Sequence, residues 1–133
     1  MKNNTIVAAS DMAYAWGVWL LIASIRKAGM DEPILIGTYG WNENWIKNIC
    51  KFDNVKTIAL PVEDKRCVTC TKPDIILKAE TDFITWIDCD GILTGNMSEL
   101  LFDPDTNVIY VRARVPAESR ELYSNERKKA DTT

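Results

Sequence analysis

The fold of this chain is decided by its first βα unit, residues 5–29, which reads TIVAASDMAYAWGVWLLIASIRKAG. The unit begins with a short apolar run, and Ser10-Asp11 follow it as good helix-capping residues, so we predict a buried strand followed by a helix. The helix is expected from Ala13 to Ala28, because apolar side chains recur there at spacings of three and four and Gly29 follows the last turn.

The same alternation continues along the chain. Further strands are predicted at residues 34–38, 54–60, 83–87 and 108–113, and further helices at residues 41–50, 74–80 and 96–102. Strands that alternate with helices imply right-handed crossovers, so the fold class is α/β, with a mostly parallel twisted sheet and flanking helices. We expect one α/β domain over residues 1–115 and a charged, helical or frayed tail over residues 116–133.

Composition excludes several classes of function. The 133 residues carry 16 Lys plus Arg against 19 Asp plus Glu, a net charge of −3 that offers no basic surface for nucleic acid. The longest apolar run, residues 13–23, is too short to cross a membrane, and no secretory leader is evident, so we expect a cytoplasmic protein with four reduced cysteines. Because the chain has no His, catalysis would depend on carboxylates, Lys, Cys or a metal bound by oxygen atoms.

The strongest local signal is the sequence WIDCDG, residues 86–91, in which an apolar strand ends in two carboxylates. Asp88 and Asp90 would share one face of a regular strand and repel each other unless a cation lies near them. Carboxylate oxygens suit Mg²⁺ or Mn²⁺, and such ions suit a phosphorylated substrate. The alternative is a simple polar turn in which Gly91 supplies a positive φ.

Residues 81–100, TDFITWIDCDGILTGNMSEL, resemble the DxD strand, turn and capped helix of the GT-A glycosyltransferases, which use nucleotide sugars. The sequence VAASD at residues 7–11, with Tyr14 and Gly17 after it, is similar to the first strand and helix of the glycogenin-like and lipopolysaccharide galactosyltransferase-like members. Lys72-Pro73 at the start of a helix also fits this class.

The resemblance implies a metal-dependent glycosyltransferase, with this chain as the nucleotide-binding, Rossmann-like half of a GT-A fold. Asp90 would bind Mn²⁺ or Mg²⁺ at the diphosphate, and Asp88 would contact the ribose and the metal. Ala8, Asp11 and Tyr14 would line the base and ribose pocket, and Lys72 would approach the nucleotide. The donor would be a nucleoside diphosphate sugar, most often a UDP-sugar, and the acceptor a sugar, a lipid or a protein.

Other interpretations stay open. In a haloacid dehalogenase-type phosphatase, Asp88 would be the nucleophile, Asp90 the general acid and Thr94 part of the turn. Cys67 and Cys70 form a Cys-x-x-Cys pair that suits redox chemistry or, together with Cys50 and Cys89, a structural zinc; the alternative is that all four are ordinary buried or loop thiols. The chain could also be an inactive nucleotide-binding or interaction domain that forms a homo-oligomer through an uncovered apolar face.

Overall fold

The computed structural model of the chain describes residues 3–61 and 72–98. Within these ranges the chain has four strands, three α-helices and one 3-10 turn, Met12–Tyr14. The strands are β1 (Asn4–Asp11), β2 (Ile34–Tyr39), β3 (Val55–Leu60) and β4 (Phe83–Trp86). The helices are α1 (Ala15–Lys27), α2 (Glu43–Cys50) and α3 (Lys72–Ile76).

The four strands form one sheet, in the order β3-β2-β1-β4, and every neighbouring pair is parallel. β1 is central: Asp11 lies opposite Tyr39 of β2, and Val7 lies opposite Trp86 of β4. The predicted α/β class with a parallel sheet and flanking helices is therefore confirmed.

The sheet is apolar on both faces, as expected for parallel strands that helices cover on each side. The larger core cluster places Ile6 and Ala8 of β1 against the buried side of α1, and the smaller one joins Val7 of β1 to Ile75 of α3. α3 packs closely because β2 has Gly37 beneath it, where an added Cβ would lie 2.5 Å from the Cδ1 of Ile75.

The end of α1 is fixed by its backbone and by Arg26. Gly29 has a φ of +82°, its N–H donates to the Arg26 carbonyl, and this left-handed residue closes the helix as predicted. The Arg26 guanidinium donates to four backbone carbonyls in the loops that precede β2 and β3, those of Met30, Glu32, Asp53 and Asn54. Burial lowers the pKa of Arg26, and the Glu32 carboxylate acts in the opposite direction.

Several predicted boundaries are wrong by a few residues. α2 begins at Glu43 rather than residue 41, because the Asn42 side chain caps it by accepting from the Trp45 N–H at 3.0 Å. α3 ends at Ile76 rather than Glu80, because the following N–H groups of residues 78 and 79 turn to carbonyls three residues back and tighten the chain. β4 ends at residue 86, one residue earlier than predicted.

Other predictions fall outside the described residues. These are the Cys67–Cys70 pair, the strand at 108–113, the tail at 116–133 and most of the capped helix at 96–102. At the start of that segment the Ser98 N–H donates to the Asn96 side chain at 2.8 Å. Among the helices of residues 3–61 and 72–98, none combines the length and hydropathy that a membrane span requires.

Candidate functional site

The order of the strands has a switch point between β1 and β4, and the crevice expected in such a sheet lies beyond the carboxyl ends of these two strands. The chain moves from β1 to β2 and β3 on one side, and it then returns to place β4 on the other side of β1. Ligands of parallel α/β sheets bind at the carboxyl ends of the strands that flank such a switch point. The segments that meet there are the turn after Asp11 and the loop that contains Asp88 and Asp90.

The turn after β1 is held by its own polar groups. Oδ1 of Asp11 accepts from the Tyr14 N–H at 3.2 Å and caps the 3-10 turn. The indole N–H of buried Trp41 donates to the Ser10 carbonyl at 2.8 Å, so the end of β1 is anchored from the side of α2. Asp11 is exposed and is the last residue of β1.

Tyr14 presents an aromatic ring beside this turn. The ring is 48% exposed and stacks on Trp16, with centroids 5.9 Å apart and planes inclined by 20°. The Tyr14 ring does not pack in the core, although the amphipathic pattern of the helix was also compatible with a core position. Two stacked, half-exposed rings provide a surface on which a planar base or a sugar face can lie.

α1 approaches the loop after β4 at Gly17. A Cβ built at Gly17 would lie 2.8 Å from the Cys89 carbonyl oxygen and 3.5 Å from Cδ1 of Tyr14. A backbone atom so close leaves no room for a side chain at this position unless α1 or the loop moves. Gly17 therefore brings the first turn of α1 directly against the residue between Asp88 and Asp90.

Asp88 is part of a three-residue cluster with Lys72 and Trp86. Its Oδ1 accepts from the Trp86 indole N–H at 2.7 Å and lies 3.3 Å from the Lys72 ammonium. The same ammonium stands 4.8 Å from the centroid of the Trp86 ring, within the range of a cation–π contact. Asp88 and Lys72 remain 55% and 35% exposed, so the cluster lies at the surface of the crevice.

Cys89 lies near three carboxylates of the crevice. The pKa of its thiol is raised, first because the thiol is partly buried. A backbone hydrogen bond acts in the opposite direction, and the negative charges of Asp90, Asp88 and Asp11 raise the pKa further. Since Asp11 follows β1 and the other two carboxylates follow β4, the two strand ends combine their charge. Such a crevice favours a cation.

The predicted site residues divide into two groups. Asp11, Tyr14, Lys72, Asp88 and Asp90 all belong to the carboxyl edge of β1 and β4 or to the start of α3. Ala8 does not reach the crevice: its side chain is fully buried in the core cluster beneath α1.

Sequence reasoning missed Trp86 as a residue of the site. It treated this tryptophan only as part of an apolar strand. The alternation of side chains along a strand could have pointed to Trp86, because residues two apart on a strand project to the same side of the sheet and Asp88 is two residues from Trp86. The simple-turn interpretation expected a positive φ at Gly91. Among the described residues the glycines with positive φ are Gly29 and Gly40, so Gly91 does not have one.

The donor set suits a hard divalent cation only in part. Across residues 3–61 and 72–98 no group of three or more Asp, Glu, Cys or His side chains is placed to hold a metal ion. Two carboxylates are nevertheless compatible with Mg²⁺ or Mn²⁺, which keep water ligands and share phosphate oxygens of a substrate. The donors of this crevice therefore fit a cation that arrives with a phosphorylated ligand.

The described fold is similar to that of solved glycosyltransferases. The apo form of GlyE from Streptococcus pneumoniae TIGR4 matches with a TM-score of 0.60 and 19% identity, over 74% of this chain and 26% of that chain. A second GlyE structure gives the same TM-score and identity over 73% of this chain. The apo structure of WbbM, a bifunctional glycosyltransferase, matches with a TM-score of 0.54 and 18% identity, over 77% of this chain and 21% of that chain.

No protein-family model and no curated protein matches the chain. The structural likeness shows that the chain shares the fold of a part of these glycosyltransferases, which confirms the predicted resemblance at the level of the fold. The chain spans about a quarter of the length of the two GlyE structures and about a fifth of WbbM.

Proposed function

We propose that this chain is the donor-binding part of a metal-dependent glycosyltransferase, which binds a nucleoside diphosphate sugar in the crevice between β1 and β4. The observation that carries the proposal is the meeting of Asp88, Lys72 and Trp86 at the sheet's switch point, opposite Asp11. The solved neighbours are named as glycosyltransferases, which supports the same class of reaction.

Each residue of the crevice has a role that its chemistry permits. Asp90 and Asp88 would hold Mn²⁺ or Mg²⁺, which when bound neutralises the departing nucleoside diphosphate. Lys72 supplies a positive charge that suits the diphosphate, the exposed Tyr14 ring suits stacking on a base, and Asp11 suits the hydroxyl groups of a ribose. A UDP-sugar is the proposed donor.

The transfer step belongs to the proposal for the whole protein, because the chain covers only 26% of GlyE and 21% of WbbM. In this proposal the described crevice binds the donor and orients its diphosphate. The acceptor is a sugar, a lipid or a protein that other residues would bind.

Titration calorimetry of UDP into the purified chain, with Mn²⁺ and again with EDTA, tests the proposal. We expect binding that requires the metal, and we expect Asp90→Ala to abolish it without loss of the folded circular dichroism spectrum. Asp82→Ala is the matched control, because Asp82 is an exposed carboxylate at the opposite end of β4, where it accepts from the Asn3 side chain at 2.7 Å.

Equal UDP binding with and without metal, or by Asp90→Ala, would contradict the assignment of the two carboxylates. The phosphatase interpretation predicts a different result, turnover of a generic phosphate ester that is lost in Asp88→Asn. Metal-dependent UDP binding without such turnover separates the two activities.

A further inference from the structure

One tryptophan of the crevice contacts two of its charged residues, Asp88 and Lys72. The Trp86 indole N–H donates to Oδ1 of Asp88 at 2.7 Å, and its ring face carries the Lys72 ammonium at 4.8 Å from the centroid. The ammonium and the carboxylate oxygen are themselves 3.3 Å apart. The three groups therefore form a closed triangle whose rigid member is the indole.

The Trp86 indole is held by strand pairing and by packing against the core. Trp86 ends β4, pairs in register with Val7 of β1, and packs against the smaller core cluster, which also contains Ile75 of α3. Trp86 is partly buried and held by strand pairing and by packing against this cluster, whereas the side chain of Asp88 is more than half exposed. An exposed carboxylate has several accessible rotamers, and a hydrogen bond from an anchored donor selects one of them.

We propose that Trp86 is the positioning residue of the donor site: its indole N–H sets the orientation of the Asp88 carboxylate, and its ring face sets that of Lys72. This inference rests on the proposed function, because the carboxylate is positioned for a divalent cation. Groups that hydrogen-bond to a metal ligand from outside the coordination sphere orient that ligand, and their loss typically weakens metal binding 10- to 100-fold.

Trp86→Phe isolates the hydrogen bond, because it removes the N–H and keeps an aromatic face for Lys72. We expect the affinity of the chain for Mn²⁺ alone to fall about tenfold, the low end of the range, since the carboxylate is half exposed. Trp19→Phe is the matched control, because it removes an indole N–H away from the site. Trp19 lies on α1, and its ring centroid is 5.6 Å from that of Phe52.

A double-mutant cycle with Asp88→Ala separates positioning from a general structural effect. If Trp86 acts through Asp88, Trp86→Phe weakens Mn²⁺ binding in the native background and has no further effect once Asp88 is alanine. Equal losses of affinity in both backgrounds would overturn the proposal, as would native-like or tighter Mn²⁺ binding by Trp86→Phe.

A measurement that keeps Trp86 in place covers the case in which Trp86→Phe fails to fold. Trp86 has an indole N–H resonance in a nitrogen-15 NMR spectrum, and its short bond to a carboxylate makes it sensitive to the charge at residue 88. We expect Asp88→Asn to shift it without any metal, and Mg²⁺ to shift it in the native chain.

The outcomes distinguish the two proposals. A native chain that binds neither Mn²⁺ nor UDP overturns the proposed function and, with it, the positioning role. A native chain that binds both, with an indole resonance indifferent to Asp88→Asn, overturns the role of Trp86 alone.

Discussion

Replacing Gly17 with alanine tests the contact that joins α1 to the loop of the two carboxylates. The new Cβ would stand 2.8 Å from the Cys89 carbonyl oxygen, about 0.6 Å inside the 3.4 Å at which ordinary contacts begin. The obstacle is backbone rather than the end of a flexible side chain, so either α1 or the loop has to move.

Two opposing terms set the effect on stability. Alanine is favoured over glycine in a helix interior by about 1 kcal/mol, which alone would stabilise the protein. Overpacking of this kind costs about 1–3 kcal/mol. We therefore expect the free energy of unfolding, measured with urea, to change little or to fall by up to about 2 kcal/mol.

Function should respond more than stability. Cys89 lies between the two proposed metal ligands, so a shift of its backbone moves both carboxylates, and we expect Mn²⁺-dependent UDP binding to weaken about tenfold. Gly95→Ala is the matched control, because a Cβ there meets no atom within 4 Å. A Gly17→Ala protein about 1 kcal/mol more stable than native, with unchanged binding, would refute the contact between α1 and the loop.

Two further experiments, one substitution and one chemical modification, test the structure around the site. Arg26→Met removes the donor that joins α1 to four loop carbonyls, and we expect urea unfolding to show a loss of about 2–3 kcal/mol; a loss below about 0.5 kcal/mol would contradict this. The raised pKa of Cys89 keeps more of its thiol protonated at a given pH. We therefore expect Cys89 to be alkylated more slowly than exposed Cys50, as followed by mass spectrometry of peptides. The alkylation rate of Cys89 should also continue to increase with pH above the range in which an ordinary thiol ionises. Equal rates at the two cysteines, with the same dependence on pH, would show that neither burial nor the neighbouring carboxylates protect Cys89.

Much of the fold was predictable because it depends on local pattern. The apolar run of β1, the spacing of apolar residues in α1 and the glycine after α1 each report a local preference that the tertiary structure keeps. The end of α3 was less predictable, because residues 77–80 suit a helix but turn instead toward β4. Helix propensity is a weak prior that tertiary context overrides.

The candidate site was predictable in its residues and not in its contacts. The two carboxylates after an apolar strand, and a lysine before a helix, stand out in the sequence. That Lys72 reaches Asp88, sixteen positions later, depends on α3 packing across β1 and β2, where Ile75 lies against Val7 and Gly37. The burial of Ala8 and the exposure of Tyr14 likewise follow from which side of β1 and α1 the core occupies.

The parallel α/β class follows from local sequence, because hydrophobic period and capping residues are encoded within each short segment and act before any long-range contact forms. The strand order, and with it the crevice, depends on long-range packing, because β4 pairs with β1 rather than with β3, its predecessor along the chain. That choice depends on burying α3 against the face of the sheet that α1 and α2 leave uncovered, with Ile75 above Gly37 and Val7. The triangle of Lys72, Trp86 and Asp88 follows from the same packing.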